Sequence, residues 1–485
     1  MSNKIRSLTP GALWNHFADL NAIPRASKKE ERVIQFIAAF GKKLDLPTSI
    51  DETGNVIIKK PASKGMEDRT TIVLQSHLDM VHQKNGDTEF NFDTEGIKMF
   101  VEDDWVKARG TTLGADNGIG VSTIMAILES TDIAHPPIEA LFTIDEETGM
   151  SGALGLKGGL LDGSILLNLD TEDDHELTIG CAGAIDVTAT GKYEEETVAG
   201  DVTTLRLTLK GLSGGHSGME IHKGLGNSNI IMASILSAAV DFGLRIHSID
   251  GGGLRNAIPR ESVVELIIPA ANLEAFKNFV SGKEKELKSD FASTDPNLSL
   301  STEIASFPST ASNVQFQYTF LKALIASPNG VYKMSPDIPG LVQTSNNVAR
   351  VLLKDGSFSI LCLTRSAVDE EKMELANILR SVFELTGASV AFGGSYPGWA
   401  PKPESAIVKL MSDLYRENYH SEPDVNACHA GLECGIIGTN YPHMQMISFG
   451  PNILGAHSPD EKVQVSSVQK FWNFLLETLK RIPKK

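Results

Sequence analysis

Apolar residues recur along Lys28–Leu44 at Val33, Ile37, Phe40 and Leu44, with Ile34 beside them, and this spacing predicts an amphipathic helix. Upstream, Thr9-Pro10 offers a cap residue and a proline suited to a first helical turn, so a helix through Leu13–Leu20 is expected. The pattern then shortens to apolar runs of strand length. These are Val56-Ile57-Ile58 after the turn Glu52-Thr53-Gly54-Asn55, Thr71–Leu74 entering Gln75-Ser76-His77, Ile138–Ile144 and Ile165–Leu169. Val121–Leu128 reads as an apolar helix among them. Strands alternating with helices predict an α/β fold, a mostly parallel mixed sheet between helices.

After about Cys181 the strands become half-polar: Asp186–Thr190, Thr203–Lys210, Ser262–Ile268, Leu341–Leu352 and Ser357–Thr364. Helices are expected among them at about Asn227–Phe242, Leu273–Glu286, Val314–Ser327 and Glu370–Leu385. That is an α+β pattern, with helices on one face of an antiparallel sheet. The strand and helix order occurs twice, which suggests a duplicated unit. From about Tyr396 the first pattern returns, with a helix near Ser405–Tyr415, a strand near Gln445–Phe449 and a terminal amphipathic helix at Ser466–Leu479. The expected organisation is a domain made of residues 1–185 and 396–485, interrupted by an inserted α+β lid of residues 186–395.

Charge narrows the partners. Lys plus Arg is 44 and Asp plus Glu is 61, a net charge of −17, which argues against nucleic-acid or anionic-membrane binding. No stretch approaches the roughly 20 apolar residues of a membrane helix, and the N-terminus lacks the pattern of a signal peptide, so a cytoplasmic location is expected. Cys181, Cys362, Cys428 and Cys434 are too few and too scattered for a disulfide framework or a zinc knuckle.

Five short segments concentrate metal-competent side chains, most of them at expected strand ends. They are His77-Leu78-Asp79, Gly114-Ala115-Asp116-Asn117-Gly118, Asp145-Glu146-Glu147-Thr148-Gly149, Asn168-Leu169-Asp170 and Gly455-Ala456-His457-Ser458. The carboxyl ends of parallel strands border the usual ligand crevice. Two imidazoles and three carboxylates suit a pair of zinc ions sharing one carboxylate.

These segments resemble the di-zinc metallopeptidase family of aminoacylases, carboxypeptidase-like enzymes and dipeptidases. Further stretches carry the likeness along nearly the whole chain: Lys107–Leu113, Gly214-Gly215-His216-Ser217-Gly218, Leu254–Arg260, Tyr396-Pro397-Gly398-Trp399, His429–Cys434 and His457-Ser458-Pro459. Within the family they match the branch that splits aminoacyl-histidine dipeptides. The resemblance implies a zinc-peptidase-like catalytic domain, two zinc ions (manganese or cobalt as substitutes) and hydrolysis of small peptides, carnosine-like ones included. Family members include dimers, so a homodimer is expected. Aminotripeptidases and N-acyl-amino-acid hydrolases share the metal core and form the alternative. A non-catalytic relative would have lost the base or a ligand, whereas both are present.

By this resemblance His77 and Asp170 hold one zinc, Glu147 and His457 the other, and Asp116 bridges them. Asp79, two residues beyond His77 on an extended backbone, shares its face and orients the imidazole. Glu146 and Glu147 point opposite ways in an extended segment, and the resemblance assigns Glu147 to zinc and Glu146 to the role of general base. Relatives hold Asp116-Asn117 in the cis form. His216 stabilises the oxyanion. Asn256 and Arg365 bind substrate, Arg365 at the C-terminal carboxylate with Arg255 as its rival, and Gly431 supplies backbone contacts. Reaching the zinc site then requires the lid to close over the peptide. His82, His429 and Glu433 are expected in supporting roles, and Glu172-Asp173-Asp174-His175 as a solvated loop.

Overall fold

The computed structural model describes residues 2–485 and divides into two compact units. The first comprises Met1–Gly180, Pro401–Ala427 and Leu432–Lys485; the second comprises Cys181–Ala400 and Cys428–Gly431. The cuts differ from the expected 185/186 and 395/396 because Cys181 and Trp399 exchange backbone hydrogen bonds at 2.9 Å, and Ala182 N–H donates to the Cys428 carbonyl at 3.1 Å. Those bonds draw both ends, and the short 428–431 segment, into the second unit.

The first unit is built on an eight-stranded sheet. Its strands lie in the order Thr48–Ile50, Val56–Lys60, Ile138–Thr143, Ile72–His77, Ile165–Asn168, Gln445–Ser448, Glu176–Cys181 and Asp424–Cys428. The four from Ile138–Thr143 to Gln445–Ser448 run parallel. The strands Ile72–His77, Ile138–Thr143 and Ile165–Asn168 are buried at every residue, as strands covered on both faces must be. Helix Ala115–Glu129 is buried along Asn117–Leu128, which is why its sequence is apolar all round. Helices Glu31–Lys43 and Val465–Arg481 instead bury one stripe each, Val33, Ile37, Ala38 and Gly41 in the first.

Two local expectations shift. Helix Glu31–Lys43 starts after Lys28, whose left-handed φ of 67° breaks the helix. Pro10 caps helix Gly11–Leu20 from outside it and follows a cis Thr9-Pro10 bond. A separate four-stranded antiparallel patch joins Ile453–Leu454, Lys462–Gln464, Trp105–Ala108 and Met99–Glu102. It anchors the late loop that carries His457.

The second unit holds a nine-stranded sheet. Strand Val202–Lys210, helix Ser228–Ala238, strands Arg245–Gly252 and Ser262–Pro269, helix Leu273–Asp290 and strand Ser299–Ile304 form one βαββαβ set. Strand Gly183–Lys192, helix Val314–Ala326, strands Val342–Lys354 and Ser357–Ser366, helix Asp369–Glu384 and strand Ser389–Tyr396 form a second. In each set the strands lie in the order fourth, first, third, second, and the second strands pair edge to edge, Ile249 opposite Leu353. The duplication is therefore real at the level of topology, with the first set inserted after the opening strand of the other. Among the described residues no helix is long and apolar enough to cross a membrane. Among the described residues no disulfide joins the four cysteines.

Candidate active site

Parallel register puts the carboxyl ends of three strands at one edge of the first unit's sheet. From there Ile72–His77 presents His77, Ile138–Thr143 leads into the Glu146-Glu147 turn, and Ile165–Asn168 leads to Asp170. Asp116 enters at the start of helix Ala115–Glu129, next to a cis Asp116-Asn117 bond. His457 enters from the loop between Ile453–Leu454 and Lys462–Gln464.

The five side chains converge. His77 Nε2 lies 3.1 Å from Asp116 Oδ1 and 3.4 Å from Asp170 Oδ1. His457 Nε2 lies 3.1 Å from Asp116 Oδ2 and 2.9 Å from Glu147 Oε2. The two oxygens of Asp116 thus face two different imidazoles. Donor atoms of His77, Asp116 and Asp170 all lie within 4.8 Å of one another, and so do those of Asp116, Glu147 and His457. Glu146 forms a further such group with His77 and Glu147.

Electrostatics here are those of an anionic cage. Burial would lower the His77 imidazole, but Asp170, Asp116 and Asp79 outweigh it and hold the ring well above its ordinary range. Hydrogen bonds to Asp116 and Glu147 lift His457 to about 11. Burial would raise Asp116, yet His457 and His77 hold it below the usual carboxylate range. Burial pushes Asp170 up to about 6 against the pull of His77. Burial, helped by Asp170, Glu147 and Glu433, lifts Glu146 well above its ordinary range. These shifts favour protonation where a cation would balance the charge, and metal binding displaces such protons. The donor set fits: buried Asp170 Oδ1 and His77 Nδ1 make no hydrogen bond of proper geometry, and imidazole and carboxylate together suit a divalent transition ion.

Asp79 does more than face His77. Its Oδ1 lies 3.3 Å from His77 Nδ1 and accepts the Glu146 N–H at 3.0 Å; its Oδ2 accepts from Ser27 Oγ at 2.8 Å and the Glu147 N–H at 3.3 Å. Glu146 and Glu147 do not lie in an extended segment, as the sequence suggested, but in a turn that follows the left-handed Asp145, φ 57°. Asp145 is tied to Lys28, Thr148 and Ser151. Asp79 thus holds the turn through both amides, and the two carboxylates reach the same neighbourhood of His77.

Two residues, Arg25 and Glu461, escaped sequence reading, and a third, Glu433, is one the sequence marks for a supporting role. Buried Arg25 donates from Nη1 to the carbonyls of Leu78 and Asp79, at 3.0 and 2.9 Å, and from Nη2 to that of Gly114. Buried Glu461 accepts the backbone amides of Leu113–Asp116. Fully buried Glu433 accepts from Gln75 Nε2 at 2.7 Å and Thr143 Oγ1 at 2.6 Å, and burial pushes it up to about 8. Of the two missed residues only Glu461 carried a hint, its closeness to His457.

In the second unit His216 sits on a two-residue strand paired with Ala257-Ile258. Its Nδ1 accepts the N–H groups of Gly218 and Met219 at 3.2 and 3.0 Å, so the neutral ring carries its proton on Nε2. Buried Arg365, on strand Ser357–Ser366, donates to the Tyr396 hydroxyl at 3.2 Å, while its Nε makes no hydrogen bond. His216 and Arg365 flank Gly218, where an added Cβ would stand 2.2 Å from the His429 carbonyl oxygen. Asn256 has an exposed side chain, and its carbonyl accepts the Ser217 N–H at 2.8 Å.

Arg255, the rival to Arg365, is engaged by the carbonyls of Val187 and Cys362, by Thr188 and by Asp186. His429 is buried against Ser345 Oγ at 2.7 Å, and burial together with Arg365 lowers it to about 3, so it is neutral. Half-buried Gly431 closes the Cys428–Gly431 segment. His82 is exposed and meets Phe92; of the run expected as a solvated loop, Glu172, Asp173 and His175 are exposed, whereas the Asp174 side chain is drawn inward by Lys470 Nζ at 2.6 Å.

Comparison with known proteins follows the same lines. The model of peptidase family M20/M25/M40 matches residues 73–481. The chain is 42% identical over 484 residues to the cytosol non-specific dipeptidase of Escherichia coli (strain K12), covering 100% of both. It is also 42% identical to an aminoacylhistidine dipeptidase of Vibrio alginolyticus, whose crystal structure superposes with a TM-score of 0.93 over 100% of each chain. The aminopeptidase PepT of Bacillus cereus shares the fold at 16% identity, with a TM-score of 0.57 over 98% of this chain and 99% of that one.

Proposed function

This chain belongs to peptidase family M20/M25/M40 and hydrolyses dipeptides, and on that premise we propose that its first unit works around two zinc ions. In this reading His77 and Asp170 hold one ion, Glu147 and His457 the other, and Asp116 both. Manganese or cobalt fits the same nitrogen and oxygen donors. One observation carries the proposal: the two oxygens of Asp116 each face a different imidazole at 3.1 Å.

When bound, the ions supply Lewis acidity that activates water and polarises the peptide carbonyl. Glu146 has no ligand duty. It takes a proton from the attacking water as the new C–O bond forms, then delivers it to the amine as the C–N bond breaks. Asp79 keeps His77 and the Glu146-Glu147 turn in register. The second unit, residues 186–395 of the expected division, recognises the peptide. His216 donates from Nε2 to the carbonyl oxygen as it gains charge. Arg365 pairs with the C-terminal carboxylate, and its Nε without a hydrogen bond supports that role. Asn256 and Gly431 complete the contacts. We assign a preference for histidine at the second position, which the name of the Vibrio relative supports, and a homodimer in the cytoplasm, a location in keeping with the cytosolic E. coli relative.

Metal analysis and rates on a His-terminated dipeptide, another dipeptide, a tripeptide and an N-acetyl amino acid test this reading. The expectation is two ions per chain and the highest kcat/KM on the His-terminated dipeptide. Glu146→Gln should keep both ions and lose at least about 100-fold in kcat. Full activity in that variant removes the assigned base, and a preference for the tripeptide or the N-acetyl substrate overturns the dipeptidase assignment.

A further inference from the structure

The loop that carries His457 also carries a buried acid with no ligand duty. Glu461 is 3% exposed and lies four residues past His457. Its Oε2 accepts the N–H groups of Leu113 and Gly114 at 2.6 and 2.9 Å, and its Oε1 accepts those of Ala115 and Asp116 at 2.7 and 3.2 Å. These amides open helix Ala115–Glu129, where no intrahelical partner exists for them. Burial closes the alternative of water, so the carboxylate satisfies the turn that aims Asp116.

The backbone of the same residue closes its own loop. Glu461 N–H donates to the Ser458 carbonyl at 3.1 Å, and Ser458 N–H to that of Gly455 at 3.2 Å, which folds residues 455–461 tightly around His457. From the opposite side Arg25 holds the Gly114 carbonyl together with those of Leu78 and Asp79, next to His77. The Asp116 turn is thus gripped through its amides by an acid and through a carbonyl by a guanidinium.

We propose that Glu461 is a positioning residue that fixes Asp116 and His457 against each other and thereby sets the affinity of the metal position they share with Glu147. This rests on the metal assignment made above. The chemistry of the side chain makes it specific. Four amides need two acceptor oxygens; a glutamine offers one, and its NH2 group would face two N–H donors. Glu461→Gln, although isosteric, therefore releases half of the turn. Glu461→Asp keeps both acceptors at shorter reach.

Calorimetric titration of metal-free protein with Zn2+, together with steady-state rates at increasing free Zn2+, tests the proposal. Wild type should bind two ions. Glu461→Gln should bind the first nearly as tightly and the second about 10–100-fold more weakly, the range for residues that orient ligands. Its kcat should fall at low metal with KM for the dipeptide unchanged, and rise again with added Zn2+. Glu461→Asp should recover part of the affinity, and it carries the test if the glutamine variant does not fold. Unchanged affinity for both ions, equal loss of both, or lower stability with no rescue by metal overturns the proposal. A wild type that binds fewer than two ions overturns the metal assignment itself.

Discussion

Replacing Asp79 by asparagine removes one charge and exchanges one acceptor for a donor, and the surroundings dictate the cost. If the amide oxygen stays at the Oδ1 position, it still accepts from Glu146 and still faces His77, 3.3 Å away. The amide nitrogen then faces Ser27, whose hydroxyl can turn to accept, and the Glu147 N–H, which cannot. One buried amide loses its partner, at about 1–3 kcal/mol. His77 loses a charged acceptor, and since charge-assisted bonds are roughly twice as strong as neutral ones, about 1 kcal/mol more goes. The opposite amide orientation would sacrifice His77 and Glu146 together and is worse.

The sum, about 2–4 kcal/mol, is shared between folding and metal binding; each 1.36 kcal/mol is tenfold. Denaturant unfolding of the metal-free protein and calorimetric metal titration measure the two parts. Asp79→Asn is expected to lower their sum by that amount and to weaken both ions, because Asp79 contacts His77 and the amide of Glu147. A variant within about 0.5 kcal/mol of wild type in both measurements, the range of ordinary surface substitutions, would refute the reasoning.

Two further outcomes are expected. Arg365→Ala should raise KM for a dipeptide far more than it lowers kcat, and should erase the wild type's discrimination against the same dipeptide with an amidated C-terminus; retained discrimination would return the carboxylate role to another residue. Burial raises Glu433 from 4.5 to about 8, so between those values the folded metal-free protein holds a proton the unfolded chain has released. Its contribution is full below about pH 4.5 and is lost as pH rises towards 8. Unfolding of Glu433→Gln across pH 5–8 should show a flatter fall in stability than wild type, and an equal slope would count against the buried-acid account.

Local chemistry determined much of this protein. Val33, Ile37 and Ala38 on one helical stripe, and the all-apolar strands that end at His77, Thr143 and Asn168, follow from burial periodicity alone. The segments of His77, Glu147 and Asp170 are legible because each stands where such a strand stops or just past it, whereas Asp116 opens a helix and His457 lies in a loop. Where periodicity breaks, the reading broke too. Strand Arg245–Gly252 went unseen because a register shift between Ile246 and Ser248 interrupts its alternation. Edge strand Ser389–Tyr396 buries no residue fully, and only Val390 and Phe392 lean on the core before two glycines end the apolar pattern.

Only the tertiary structure decided how the site is held. Arg25 and Glu461 are polar residues that a sequence assigns to the surface, and the full burial of Glu433 is no more legible, since burying a charge costs energy that only specific partners repay. Those partners are backbone carbonyls, backbone amides and the side chains of Gln75 and Thr143, and their convergence depends on the folded sheet rather than on local pattern. The turn at Asp145, which carries Glu146 and Glu147, is set in the same way by Lys28 and Ser151 from outside it. Residue order therefore specifies which groups do the chemistry, and long-range hydrogen bonding specifies where they point.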